Sequence, residues 1–258
     1  MTLAPPKPSV LTMRDRLFGR PRQRVIAEQA VLALRDVTKT YPNGKEALSD
    51  VDLVIPEGDF VFLVGPSGAG KSTLLKLLIR DEIASRGDVI LDGQDLARIP
   101  RRQVPKMRRK IGIVFQDFKL LPRKSVWENV AFALEVTGTP RRKVRPAVDR
   151  VLALVGLTAQ APQLPGQLSG GEQQRTAIAR ALVHDPRLII ADEPTGNLDP
   201  LISWEILQLL LRINELGVTI LMATHNADVV TALRKRVVAL EEGRIIRDEV
   251  GGAYHRMD

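Results

Sequence analysis

Gly65, Pro66, Ser67, Gly68, Ala69, Gly70, Lys71 and Ser72 follow one another in a row that fits the spacing G-x-x-x-x-G-K-S in full. Glycines at that spacing let backbone N–H groups converge on one point, and a helix beginning there adds its positive dipole end, so the loop suits a phosphate. Lys71 would reach the β- and γ-phosphates of a nucleoside triphosphate, and the Ser72 hydroxyl, with Thr73 beside it, would stand next to Mg²⁺. From background residue frequencies, a chance match in a chain of this length is on the order of 1%. A second group complements the first. The apolar residues 188–191 deliver Asp192 and Glu193 side by side. Asp192 would hold the cation, through water, and Glu193 would polarise the attacking water as general base. Seen alone, two acids after a strand are more often helix caps. The glycine loop reverses that weighting.

Such groups work only on rigid stems. Residues 60–64 (Phe-Val-Phe-Leu-Val) form an apolar run bounded by Gly58 and Gly65, and read as a buried strand ending at the loop. Residues 72–79 continue with helical spacing, so strand, loop and helix stand in the order the motif needs. Upstream, residues 31–34 and 51–55 read as strands with the turn residues Pro42, Asn43 and Gly44 between them. Downstream, 126–136 and 144–155 read as helices, the second ending at Gly156. Residues 188–191 and 218–223 read as strands, the latter closing near His225. Alternating strands and helices predict a mostly parallel sheet with its chemistry at the carboxyl ends of the strands.

The 258 residues are enough for one large α/β domain with a substantial core. Apolar content of 44% and charged content of 26% place the chain among soluble globular proteins. Its apolar runs are far shorter than the about 20 residues of a spanning helix. Residues 1–30 are rich in Pro and Arg, with no apolar stretch of signal-peptide length, and read as a flexible basic extension of a cytosolic chain. The net charge of +8 is concentrated in that extension and in residues 98–110 and 141–150. Aromatic residues make up only 4% and do not interleave with these clusters, so a base-stacking surface is poorly supported and no nucleic-acid partner is expected. Solvated helix faces near a membrane leaflet are the plainer reading. The lack of cysteine excludes disulfides and thiolate metal sites.

In order along the chain stand the loop 65–72, Gln116, Leu168-Ser169-Gly170-Gly171-Glu172, the run 188–193, Asn197-Leu198-Asp199 and His225. This succession resembles the nucleotide-binding subunits of ABC transporters over roughly residues 31–248, and Leu-Ser-Gly-Gly-Glu is that family's own mark. The resemblance implies an α/β P-loop NTPase core: a mixed, mostly parallel sheet flanked by helices, an antiparallel β portion, and an inserted helical subdomain at about 118–171. Residues 249–258 would form a C-terminal tail. It also implies Mg-dependent hydrolysis of ATP by a homodimer, in which Ser169, Gly170, Gly171 and Glu172 cap the ATP held by the partner copy. Tyr41 resembles the aromatic that stacks on adenine, Gln116 the glutamine that touches Mg²⁺ and the lytic water, Asp199 the residue that communicates across the dimer, and His225 the histidine that contacts the γ-phosphate. His184 and His255 have no such context. With one glycine loop and no internal repeat, a fused pair of such domains is not expected.

Residues 104–122, 170–175, 191–200 and 222–226 carry a finer resemblance, to the cell-division branch of that family. It implies a peripheral subunit on the cytoplasmic face of the inner membrane, an FtsX-like integral membrane protein with four spans as partner, and force transmission to cell-wall hydrolases. The Glu193-to-Asp199 stretch is shared with lipoprotein-release and macrolide-efflux relatives, which stay open as an alternative, and a soluble ABC protein acting on ribosomes or DNA has only the positive charge in its favour.

Overall fold

The computed structural model describes residues 30–252. All of the expected basic extension at 1–30 except Ala30, and His255 with the end of the expected tail, lie outside the described residues. Ala30 already opens the first strand and Glu249 closes the last one, so the ordered elements overrun the expected limits of 31 and 248 by one residue at each end.

Two sheets form the frame. The first is antiparallel, in the order β2-β1-β4-β5, from β1 (Ala30–Thr40), β2 (Glu46–Pro56), β4 (Arg86–Leu91) and β5 (Gln94–Asp95). The second has the order β10-β9-β3-β8-β7-β6. Its members are β3 (Phe60–Val64), β6 (Ile111–Val114), β7 (Leu188–Asp192), β8 (Thr219–Ala223), β9 (Arg236–Glu241) and β10 (Arg244–Glu249). Pairing is parallel from β9 through β3, β8 and β7 to β6, and only β10 runs antiparallel.

Both faces of the parallel sheet are covered, which is why its strands read as continuous apolar runs rather than alternating ones. The pleat divides each strand between two cores. Phe60, Phe62, Ile189, Ala191, Ile220 and Met222 face one core. It is closed by α3 (Val126–Glu135), α4 (Arg141–Leu154), α5 (Gly170–Leu182) and α6 (Pro200–Glu215). Val61, Leu63, Leu188, Ile190, Leu221 and Ala223 face the other, with α1 (Lys71–Leu78), α2 (Val104–Arg108) and the antiparallel sheet. A last helix, α7 (Ala227–Leu233), follows β8. No helix among the described residues is long and apolar enough to cross a membrane.

The two sheets are stitched by polar contacts. Arg236 at the start of β9 forks onto both Asp248 oxygens at 2.7 Å, and also donates to Val54 O at 2.9 Å and to Asp59 at 3.1 Å. The Asp248 carboxylate raises the pKa of this guanidinium above its usual value, against the opposing effect of burial.

The structure extends several sequence expectations. The runs at 31–34 and 51–55 belong to strands of eleven residues each. Asp36 and Asp50, at φ 48° and 47°, sit at irregularities in the β1–β2 and β1–β4 registers that interrupt the apolar pattern. Strands β4, β5, β6, β9 and β10 were not among the expected elements, and α4 begins at Arg141 rather than Val144. In β6, Gly112 weakens the strand signal. It is needed there because a Cβ would stand 2.6 Å from Ala181 O of the helix α5 packed on it.

Candidate nucleotide site

The parallel register explains how residues far apart in the chain meet. Leu63 pairs with Ala223, Asp192 also pairs with Ala223, and Val114 pairs with Ala191. Four neighbouring strands therefore end at one level, and their next residues are Gly65, Gln116, Glu193 and His225 or lie within two positions of them. A parallel sheet opens its crevice at this carboxyl edge.

The glycine loop enters helix α1 at Lys71, with Gly70 as the residue before it. Gly65, at φ 151°, approaches β9 so closely that a Cβ would lie 2.1 Å from Leu240 O. The Lys71 ammonium is held inside the loop by Gly65 O at 2.6 Å and Pro66 O at 3.0 Å. Burial lowers its pKa, and Glu193 and Asp192 pull it back upward. Asp192 is raised, first by burial, then by the neighbouring Glu193 charge, with Lys71 opposing. Two carboxylates and one ammonium thus share a sheltered space. Ser72 and Thr73 lie on the first turn of α1. The Thr73 hydroxyl is 3.3 Å from the phenol of Tyr41, whose ring has the Lys39 ammonium 5.1 Å from its centre. The antiparallel sheet thus brings an aromatic ring to the mouth of the loop.

Glu193 has φ 47° and its N–H donates to Ala223 O at 3.0 Å, so the chain turns sharply as it leaves β7. Its Oε1 is 2.7 Å from Nδ1 of His225. Gln116 Nε2 donates to Asn197 Oδ1 at 3.3 Å, and Asn197 Nδ2 returns a bond to Gln116 O at 3.1 Å. This reciprocal pair closes the loop after β6 against the loop after β7.

Ser169 caps α5. Its hydroxyl accepts from Glu172 N at 3.3 Å, and its own N–H and hydroxyl each donate to Glu172 Oε2 at 2.8 Å. These bonds, the backbone one foremost, lower the Glu172 pKa. Glu172 therefore holds its own helix cap, with Gln160 on its other oxygen at 3.1 Å. Leu198 and Ile202 stand against Gly170 and Gly171. Asp199, at the start of α6, accepts from Leu201 N at 3.1 Å and Ile202 N at 3.0 Å. The expected dimer-communication residue thus braces the segment that packs on the Ser-Gly-Gly turn. That turn has different neighbours from the glycine loop, which lies against Ala47, Leu48 and Leu240.

Other participants have no sequence motif. Asn129 of α3 is fully buried and bonds Leu121 N and the carbonyls of Leu121, Lys124 and Ser125 at 2.7–3.1 Å. Gln174 of α5, also fully buried, donates to Pro194 O at 2.7 Å. Arg180 donates to Phe118 O at 2.8 Å and Lys119 O at 2.6 Å. Apart from the Asn129–Ser125 bond, which spans one helical turn, each contact joins positions at least five residues apart, so local spacing carries little signal for them. Of the remaining histidines, His184 is half-buried with Nε2 2.9 Å from Ala133 O, and burial lowers its pKa. The basic run 98–110 is partly absorbed by the fold, through Arg98 with Asp95, Arg108 with Ile79 O and Lys110 with Asp92.

The family model described as ABC transporter matches residues 48–196, from the second strand to the turn after Glu193. The chain belongs to the ABC transporter family. Its α/β fold is that of the family's ATP-binding cassettes. The dimeric cassette MJ0796, solved in a post-hydrolysis state bound to ADP and Pi, superimposes with a TM-score of 0.75 at 38% identity, covering 86% of this chain and 100% of that one. Among curated ABC relatives, the cell division ATP-binding protein FtsE of Bacillus subtilis is 51% identical over 228 residues, 88% of this chain and 100% of its own. FtsE of Streptococcus pneumoniae is 52% identical over 225 residues, 87% of this chain and 98% of its own.

Proposed function

We propose that this chain is the ATP-hydrolysing subunit of a cell-division ABC complex. In this reading it works as an ATP-dependent homodimer, peripheral to the cytoplasmic face of the inner membrane, with an FtsX-like integral membrane protein as partner. The observation that carries the reading is the convergence of the glycine loop, Asp192, Glu193, Gln116 and His225 at one sheet edge, in a chain half identical to FtsE proteins over their full length.

The loop N–H groups and the α1 terminus hold the phosphates, and Lys71 turns its ammonium from the Gly65 and Pro66 carbonyls toward them. Tyr41 offers its ring to adenine. Glu193 takes a proton from the attacking water, and His225, anchored on the same carboxylate, stands where the γ-phosphate leaves. Gln116 orients that water, held by its pairing with Asn197. Ser169, Gly170 and Gly171 present the α5 terminus to the ATP of the second copy, and Asp199 relays across the dimer. The Ser72 hydroxyl and the Gln116 amide oxygen, with the Asp192 carboxylate through water, are hard oxygen donors that would hold Mg²⁺. Once bound, the ion would neutralise charge developing on the phosphate oxygens.

Hydrolysis opens the dimer because it removes the γ-phosphate that both copies grip. The test is capture of the Glu193→Gln chain with ATP from solubilised native membranes. A four-span membrane protein together with division proteins is the expected catch. A lipoprotein-release or efflux permease would reassign the pathway, and ribosomes or DNA without a membrane protein would overturn the partner reading.

A further inference from the structure

Gln116 is fixed from one side by Asn197, but the chain that follows it forms no helix or strand until Val126, and Phe118 and Lys119 both adopt left-handed backbone, at φ 57° and 49°. Two consecutive non-glycine residues in that region are held there only when their surroundings over-determine them. The surroundings are identifiable. The guanidinium of Arg180 spans the two carbonyls, at 2.8 Å to Phe118 O and 2.6 Å to Lys119 O, and Asn129 pins the chain beyond them at Leu121, Lys124 and Ser125. Arg180 sits on α5, the helix whose first turn is Ser169-Gly170-Gly171, and Gln174 of the same helix grips Pro194 O next to Glu193. One helix therefore holds the loop after β6 and the loop after β7 together.

We infer that Arg180 is a positioning residue for Gln116, acting through the main chain of Phe118 and Lys119, so that a shift of α5 is passed to Gln116 without any contact between the two side chains. The inference rests on the reading of Gln116 as part of the hydrolytic site. Only arginine supplies two donors in a planar fork of the right width; lysine keeps the charge but can satisfy one carbonyl well.

The experiment is a double-mutant cycle on the full chain, with Arg180→Lys, Gln116→Ala and the pair, reading kcat, KM and affinity for a fluorescent ATP analogue. Arg180→Lys is expected to lower kcat about tenfold while nucleotide affinity stays within about twofold, since the phosphate loop is untouched. In the Gln116→Ala background the same change is expected to add little, because the group being positioned is already gone. Effects that multiply would mean that Arg180 acts by another route and would overturn the inference, leaving the reading of Gln116 intact. Full activity in Gln116→Ala would overturn both. Amide hydrogen exchange gives a readout that needs no turnover: in Arg180→Lys, faster exchange is expected in residues 115–121 with α5 unchanged. Unchanged protection there would also overturn it. Arg180→Gln, which retains one planar donor, serves if the lysine variant does not fold.

Discussion

Nδ1 of His225 lies 2.7 Å from Oε1 of Glu193, and the two side chains differ sharply in exposure, at 72% and 17%. The imidazole at the end of β8 is thus moored to a sheltered carboxylate at the end of β7. Glu193→Gln keeps the shape of this contact and removes the base. Turnover is expected to fall by about a thousandfold, with ATP affinity retained and an ATP-dependent dimer visible by size-exclusion chromatography. His225→Ala frees the carboxylate and is expected to cost about a hundredfold. Normal turnover in Glu193→Gln would exclude its role as base.

Lys71→Ala should lose most nucleotide affinity, and Ser169→Arg should keep it while losing hydrolysis. Mixing the two tests whether each site is shared. A mixed dimer joins an intact glycine loop to an intact Ser-Gly-Gly turn at one of its two sites, so random pairing should restore about a quarter of the wild-type rate. A mixture as inactive as its components would mean that the turn does not serve the partner's nucleotide.

Asp192 is the case where function and stability oppose each other. Burial and the Glu193 charge raise its pKa above the ordinary 3.8. Between 3.8 and the raised value the folded chain holds a proton that the unfolded chain has released. The penalty of the charged group therefore grows as pH rises through that window, is complete above it, and is relieved on acidification. Asp192→Asn removes the charge. It is expected to abolish hydrolysis, to gain stability at neutral pH, and to flatten this part of the stability–pH curve. Thermal denaturation of both chains across pH 4–8 is the check, and a destabilised variant would contradict the stated balance.

Two glycines of one loop should behave differently. A Cβ at Gly65 collides with Leu240 O at 2.1 Å, a backbone atom that cannot step aside, so Gly65→Ala should misfold the loop and lower expression. Gly68, at φ 82°, has nothing within 4 Å of its Cβ position, so Gly68→Ala carries only backbone strain, on the order of 1 kcal/mol, and should fold. Equal solubility and melting temperatures would count against this geometry.

Much of the chemistry was local and so was legible. The glycine loop, the two acids after an apolar run, and Ser169 ahead of a capping glutamate are each set by residues a few positions apart, and the phosphate cradle, the acid pair and the helix start follow from backbone physics at that range. The strands feeding them were visible because a sheet covered on both faces demands unbroken apolar runs. Strand β6 was hidden by Gly112, which is there for the helix α5, whose Ala181 comes 69 residues later in the chain. Strand β9 carries the same unbroken apolar run, at 237–240, and its signal was there to read, whereas β10 is largely exposed and is a strand because β9 pairs with it. Only the tertiary structure could pair Gln116 with Asn197, set His225 on Glu193, and stretch Arg180 across the carbonyls of Phe118 and Lys119. Those contacts join residues 32 to 81 positions apart, and such partners are chosen by strand register and helix packing, which no short stretch of sequence encodes.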